Sequence, residues 1–139
     1  MISRHLKTGI SICLVDENPT TREKLGEILD SLGIHIPIFC SNLQMAIEEY
    51  KNYTIMGPPH FILTEWTREF YDPAFIAYFQ NSPLAEIPII LLYGDSQTEA
   101  ISEIKEVRIV QFLKKPISRS GLKATIQKYL KGKTDERSN

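Results

Sequence analysis

Five short apolar runs punctuate the chain: Ile10 to Val15, Ile34 to Phe39, Phe61 to Leu63, Ile87 to Tyr93 and Ile109 to Leu113. Each is continuously apolar rather than alternating, the pattern of strands covered on both faces in a parallel sheet. Between the runs, apolar positions recur at helical spacing. Thr20-Thr21-Arg22-Glu23 offers a capping box, and Leu25, Ile28, Leu29 and Leu32 then share one helical face until Gly33 stops the helix. Ser41 with Gln44 opens a second helix that runs to Tyr50. Asp72-Pro73 supplies an N-cap followed by a proline at the first helical position, so a third helix runs through Phe75, Ile76 and Phe79 to Gln80. Ser96 with Glu99 opens a fourth, carrying Ile101, Ile104 and Val107, and a fifth starts near Ser118 and carries Leu122, Ile126, Tyr129 and Leu130.

Strand and helix therefore alternate through five βα units. With right-handed crossovers this order gives an α/β fold, a doubly wound five-stranded parallel sheet with helices on both faces. In such a sheet, ligands and chemistry collect at the carboxyl ends of the strands. The positions to inspect are those just after Val15, Leu63, Leu92 and Leu113. Residues 1–131 account for the domain, and residues 132–139 read as a polar tail or the start of a linker.

Composition narrows the function. With 139 residues, 42% of them hydrophobic and 24% charged, the chain has the size and make-up of one soluble domain with one core. Sixteen basic against 17 acidic side chains give a net charge of -1, which removes the electrostatic footprint expected of a nucleic-acid or anionic-membrane binder and leaves a protein partner. No apolar run is long enough to span a bilayer, and Met1-Ile2-Ser3-Arg4-His5 leads into no signal-peptide core, so a cytoplasmic location is expected. Cys13 and Cys40 both lie inside apolar segments and read as reduced core thiols. His5, His35 and His60 lack the close pairing of a metal site and read as structural.

The strand ends carry Asp16-Glu17, Thr64-Glu65-Trp66, Tyr93-Gly94 and Lys115-Pro116. Together with the phrases Cys-Leu-Val-Asp-Glu-Asn-Pro, Ile-Pro-Ile-Ile-Leu-Leu and Phe-Leu-Lys-Lys-Pro, these ends resemble the receiver domains of two-component response regulators. The resemblance covers roughly residues 9–131, with its motifs in register. It implies the flavodoxin-like receiver fold, in which an acidic pair after the first strand holds magnesium and an aspartate ending the third accepts phosphate. A small hydroxyl residue ends the fourth strand, and a lysine precedes a proline after the fifth. By register Asp16 and Glu17 match the acidic pair and Lys115 the lysine, whereas Glu65 stands in place of the phospho-acceptor and Tyr93 in place of the hydroxyl residue. Phe112, three residues before Lys115, matches the family's switch aromatic. The loop Trp66-Thr67-Arg68-Glu69-Phe70 lacks the family's usual proline, and Asp72 is followed by proline where glycine is common.

Both departures bear on the chemistry. Phosphoryl transfer depends almost wholly on positioning and charge, and glutamate pushes its carboxylate about an ångström or more toward the lysine, an error that costs roughly a hundredfold. The longer side chain either fills part of the phosphoryl space and accepts a charge-assisted bond from Lys115, imitating the phosphorylated form, or belongs to an ion cluster of Asp16, Glu17, Glu65 and Lys115 that only stabilises the strand ends. Three converging carboxylates would also suit magnesium or calcium, with one lysine offsetting part of their charge. Tyr93 is too long and stiff to make the short switching movement of a threonine; it either locks that coupling or simply packs over the strand end. Phe112 is expected to pack into core or groove rather than to move.

The expected function is accordingly non-enzymatic: an atypical receiver in, or derived from, phosphorelay signalling, binding a signalling protein, kinase or output domain, or a second copy. The expected face is formed by the fourth predicted helix, the fifth strand and the fifth predicted helix, with Glu103, Lys105, Glu106, Arg108, Gln111 and Lys123 as candidates. The alternative is a phosphorylation-competent receiver taking phosphate from a histidine kinase with magnesium. A cofactor-binding flavodoxin-like reading is poor, since Asp16-Glu17-Asn18-Pro19-Thr20-Thr21 lacks the glycines that let backbone approach a phosphate.

Overall fold

A computed structural model describes residues 9–52, 57–94 and 108–138 of the chain. Its sheet is all parallel, with strands β1 (Ile12–Val15), β2 (Phe39–Cys40), β3 (Phe61–Glu65), β4 (Ile89–Tyr93) and β5 (Ile109–Lys114) in the spatial order β2-β1-β3-β4-β5. The helices are α1 (Pro19–Ser31), α2 (Leu43–Asn52), α3 (Pro73–Gln80) and α4 (Arg119–Ser138), with a short 3-10 turn at Arg68–Tyr71. This is the doubly wound α/β order expected from the alternating runs.

Strand alternation sorts the core into two layers. On one face Ile12, Leu14, Phe61, Leu63, Ile90 and Leu92 pack with Leu25 and Leu29 of α1 and Leu122 and Ile126 of α4. On the other, Cys13, Val15, Ile62, Ile89 and Leu91 meet residues of α2 and α3, among them Ile47 and Phe79. Burial on both faces explains why the central strands carry no polar alternation. Cys13 and Cys40 are free and buried, as expected of core thiols.

The second apolar run makes a shorter strand than its hydrophobicity suggests. Only Phe39–Cys40 is regular, joined by an isolated bridge between Ser11 and His35. The backbone nevertheless follows β1 over this stretch, since Ile12 N–H donates to the His35 carbonyl at 2.9 Å and Leu14 N–H to that of Ile38 at 3.0 Å. Pro37, which has no N–H, interrupts regular pairing, a tolerable defect because β2 is an edge strand.

Two helix starts are also displaced from their expected caps. Helix α1 is capped by Asn18, whose side-chain oxygen accepts from Thr20 N–H at 2.9 Å and Thr21 N–H at 3.2 Å, with Pro19 at the first helical position. Asparagine followed by proline beats the Thr20 capping box because the ring presets φ while the short amide reaches both orphan amides. Likewise Asn42, one residue beyond Ser41, accepts from Met45 N–H at 2.8 Å to open α2, which runs on to Asn52. The stop at Gly33 is as expected: its φ of 77° lets Ile34 N–H reach the Leu29 carbonyl and its own N–H the Asp30 carbonyl. At α3, Asp72 caps by accepting from Ala74 N–H at 3.0 Å, and at α4 Ser118 Oγ accepts from Gly121 N–H at 3.0 Å. Helix α4 continues to Ser138, past the boundary at residue 131. The fourth predicted helix, from Ser96 to Val107, lies outside the described residues.

Asn18→Ala should lower the unfolding free energy by about 1 kcal/mol in urea titrations, whereas Thr20→Ala should cost no more than a few tenths. Equal losses would restore Thr20 as the cap.

Candidate functional site

The carboxyl ends of β1, β3, β4 and β5 bring together Asp16, Glu65, Tyr93 and Lys115. Asp16 follows β1 directly and is 0% exposed. Its N–H donates to the Cys40 carbonyl at 3.0 Å, its carbonyl accepts from Arg22 Nη1 at 2.8 Å, and its Oδ1 accepts from Asn18 N–H at 2.9 Å. Among the described residues its Oδ2 has no hydrogen-bond partner, and the nearest cation is Lys115 Nζ at 3.8 Å. Burial therefore pushes the Asp16 carboxyl above the ordinary aspartate value and the Glu65 charge adds to this, against the opposing pull of the Asn18 amide, Lys115 and Arg22.

Glu65 closes β3, and both of its carboxylate oxygens are engaged. Oε2 accepts from Lys115 Nζ at 3.1 Å, and Oε1 accepts from the backbone N–H of Glu17 at 2.9 Å. Glu65 thus spans from β5 to the loop after β1, which the extra methylene of glutamate makes possible. The ammonium is delivered by the turn after β5: Lys115 N–H donates to the Tyr93 carbonyl at 2.7 Å, and the Lys115–Pro116 peptide is cis.

Glu17 enters the site only through its backbone, and its side chain is exposed. Among the described residues no group of three or more His, Cys, Asp or Glu side chains is arranged to hold a metal ion. The convergence of Asp16, Glu17 and Glu65 on magnesium is thus not the arrangement found. Two carboxylates with an ammonium 3.1 Å from Glu65 and 3.8 Å from Asp16 form an ion-paired triad.

Tyr93 is half-buried and packs against the core layer beneath α2 and α3, so its ring is held by its neighbours. Phe112 is 36% exposed on β5 rather than packed in core or groove. On the expected interaction face Arg108 is tied back to the fold, donating to the Glu86 carbonyl at 3.3 Å and the Tyr129 hydroxyl at 3.4 Å. Gln111 Nε2 donates to the Phe112 carbonyl at 3.3 Å and Lys123 is exposed, whereas Glu103, Lys105 and Glu106 lie outside the described residues.

Two site residues escaped the sequence reading. Arg22 holds the Asp16 carbonyl from the first turns of α1, a contact foreshadowed only by its place six residues beyond Asp16. Trp66 follows Glu65, stacks edge-on to Tyr71 at 5.9 Å between ring centroids, and buries an indole N–H that has no partner among the described residues. No spacing rule marks it; the atypical loop composition was the only signal.

The structure is similar to that of a response regulator from Desulfuromonas acetoxidans, at 25% identity and a TM-score of 0.68, covering 88% of this chain and 97% of that one. It is similar also to a response regulator receiver protein from Pseudomonas putida (23% identity, TM-score 0.67, 91% of this chain and 99% of that one). A receiver domain protein from Clostridium thermocellum gives 16% identity and a TM-score of 0.69, over 90% of this chain and 97% of that one. No family model matches the sequence, and no curated protein matches it. No helix of the described residues is long and apolar enough to cross a membrane. The five-strand parallel order, the strand-end site and these structural relatives together give this chain the receiver fold of the response regulators, with glutamate ending β3 and tyrosine ending β4.

Proposed function

We propose that this chain is a pseudo-receiver: a non-enzymatic module of phosphorelay signalling that acts through protein contacts and is held in one state without being phosphorylated. The observation that carries the reading is the doubly engaged Glu65 carboxylate, bonded to Lys115 on one side and to the Glu17 amide on the other. A carboxylate so placed supplies negative charge where a phosphoryl group on a shorter side chain would supply it, and it satisfies the lysine permanently. The same bonds weaken the nucleophile. An oxygen already accepting from an ammonium at 3.1 Å is a weaker nucleophile toward phosphorus. Tyr93, fixed by core packing, offers no short hydroxyl to follow a phosphate. The output is then a contact with a signalling protein, kinase or output domain through the β5 and α4 side of the sheet.

Acetyl phosphate with magnesium should leave the intact mass unchanged over hours. Stoichiometric addition of about 80 daltons that disappears in Glu65→Gln would establish the competing reading, a phosphorylation-competent receiver, as would uptake of a beryllofluoride mimic that depends on magnesium.

A further inference from the structure

An apolar groove of about 550 Å3 lies between α1 and the sheet edge at β2, away from the strand-end triad. Ile36 lines it above the buried Leu14, Phe39 forms one wall, and Arg22 borders one end with its guanidinium bonded to the Asp16 carbonyl. Phe39 lies opposite Leu14 in the strand register and is 65% exposed, the most exposed large apolar side chain among the described residues. The other wall is α1, where Gly26 keeps the groove open: a Cβ built there would meet only Ile36 Cδ1, at 3.9 Å. Along the α1 rim stand Glu23, Glu27 and Asp30, all exposed and all without an ion pair among the described residues. Their spacing of four and three residues aligns them along one edge of the groove.

We infer that this groove docks an amphipathic helix of a partner protein, its apolar stripe over Phe39 and Ile36 and its cationic flank along Glu23, Glu27 and Asp30. Three features select this occupant. An exposed aromatic beside an open apolar groove is an anchor site for helical i, i+3, i+4 side chains. Strand addition is blunted, because β2 is only two residues long. The aligned carboxylates repel an anionic lipid surface and attract lysine or arginine. A second copy is a poor fit, since among the described side chains of the basic helix α4 Leu122 and Ile126 are buried in its own core and Tyr129 packs against it. The inference does not depend on Glu65 or on the reading of the triad.

The probe is a labelled synthetic helix of about five turns with leucines at i, i+3, i+4 and i+7 and lysines on one flank, followed by fluorescence anisotropy. Two companions carry glutamates in place of the lysines or a scrambled order. The basic amphipathic peptide should bind at least tenfold more tightly than either companion. Phe39→Ser and the double change Glu23→Lys with Glu27→Lys should each weaken it by about tenfold or more, and Lys123→Glu by less than about twofold. Gly26→Leu fills the groove from the helix side with a residue of higher helix propensity, so it should abolish binding in a folded protein. Equal binding of the companions, or wild-type affinity in the Phe39 and Gly26 variants, would overturn the inference. So would concentration-dependent self-association, seen by sedimentation, that Phe39→Ser removes, since that would make the groove a contact between copies of this chain.

Discussion

Lys115→Met should lower the unfolding free energy at neutral pH by about 2 kcal/mol, and the loss should shrink steadily on acidification. The substitution keeps most of the stem but leaves Asp16, fully buried, and Glu65 as neighbouring carboxylates with no ammonium between them. Breaking a buried pair from one side costs roughly 3–5 kcal/mol; the smaller figure applies because Lys115 is 32% exposed and water can reach the gap. The pH dependence follows from Asp16. Its carboxyl is raised in the folded protein by burial and by Glu65, with Lys115 among the groups holding it down. A carboxyl raised on folding contributes stability that is present below its unfolded value and is lost as pH rises through its folded one. Removing Lys115 raises it further, so the penalty appears only where the carboxyl would ionise. Urea unfolding between about pH 4 and pH 8 measures this, and Asp16→Asn added to Lys115→Met should recover more than half of the loss at neutral pH. A pH-independent loss would mean that Lys115 acts by packing alone.

The largest effect on chemistry is expected from two changes made together. Glu65→Asp draws the carboxylate back by one methylene, about 1.5 Å, out of reach of the Glu17 amide, and frees Lys115. A displacement of that order changes a positioned reaction by roughly a hundredfold. Alone it should give slow phosphorylation by acetyl phosphate, because Tyr93 still packs where a short hydroxyl is needed. Tyr93→Thr alone should give none. The double variant should exceed the product of the single effects by about tenfold, since groups sharing one site couple non-additively. Intact-mass time courses in the presence of magnesium read the rates. A cycle without an interaction term would make Tyr93 a bystander of the core, and fast phosphorylation of the native chain would remove the premise that glutamate blocks the site.

The fold was legible because its signals are local. A continuous apolar run as short as Ile89–Tyr93, bounded by Pro88 and Gly94, suits a strand covered on both sides better than a helix, and Asp72-Pro73 and Gly33 punctuate helices through the dihedrals those residues favour. The misplaced caps at Thr20 and Ser41 have the same origin. Several short polar side chains stood side by side, and which one turned toward the orphan amides depended on where the preceding strand released the chain. In the second strand a proline at the sheet edge cut regular pairing that hydrophobicity alone would have continued.

At the site, the strand-end rule pointed to the segments after β1, β3, β4 and β5, because parallel strand order fixes which loop ends become neighbours, and the resemblance to receiver domains singled out Asp16, Glu17, Glu65, Tyr93 and Lys115 within them. Partnership within that group was decided only in three dimensions. Glu17 contributes an amide rather than a carboxylate, Lys115 lies closer to Glu65 than to Asp16, and Asp16 keeps an oxygen with no hydrogen-bond partner among the described residues. Those facts turn on differences of under an ångström between side chains from loops distant in sequence, which no pattern along the chain encodes. The groove at Phe39 is the same case in apolar form. Phe39 and Leu14 are ordinary strand residues by sequence, and only the edge position of β2 and the missing side chain at Gly26 leave a cleft between sheet and helix.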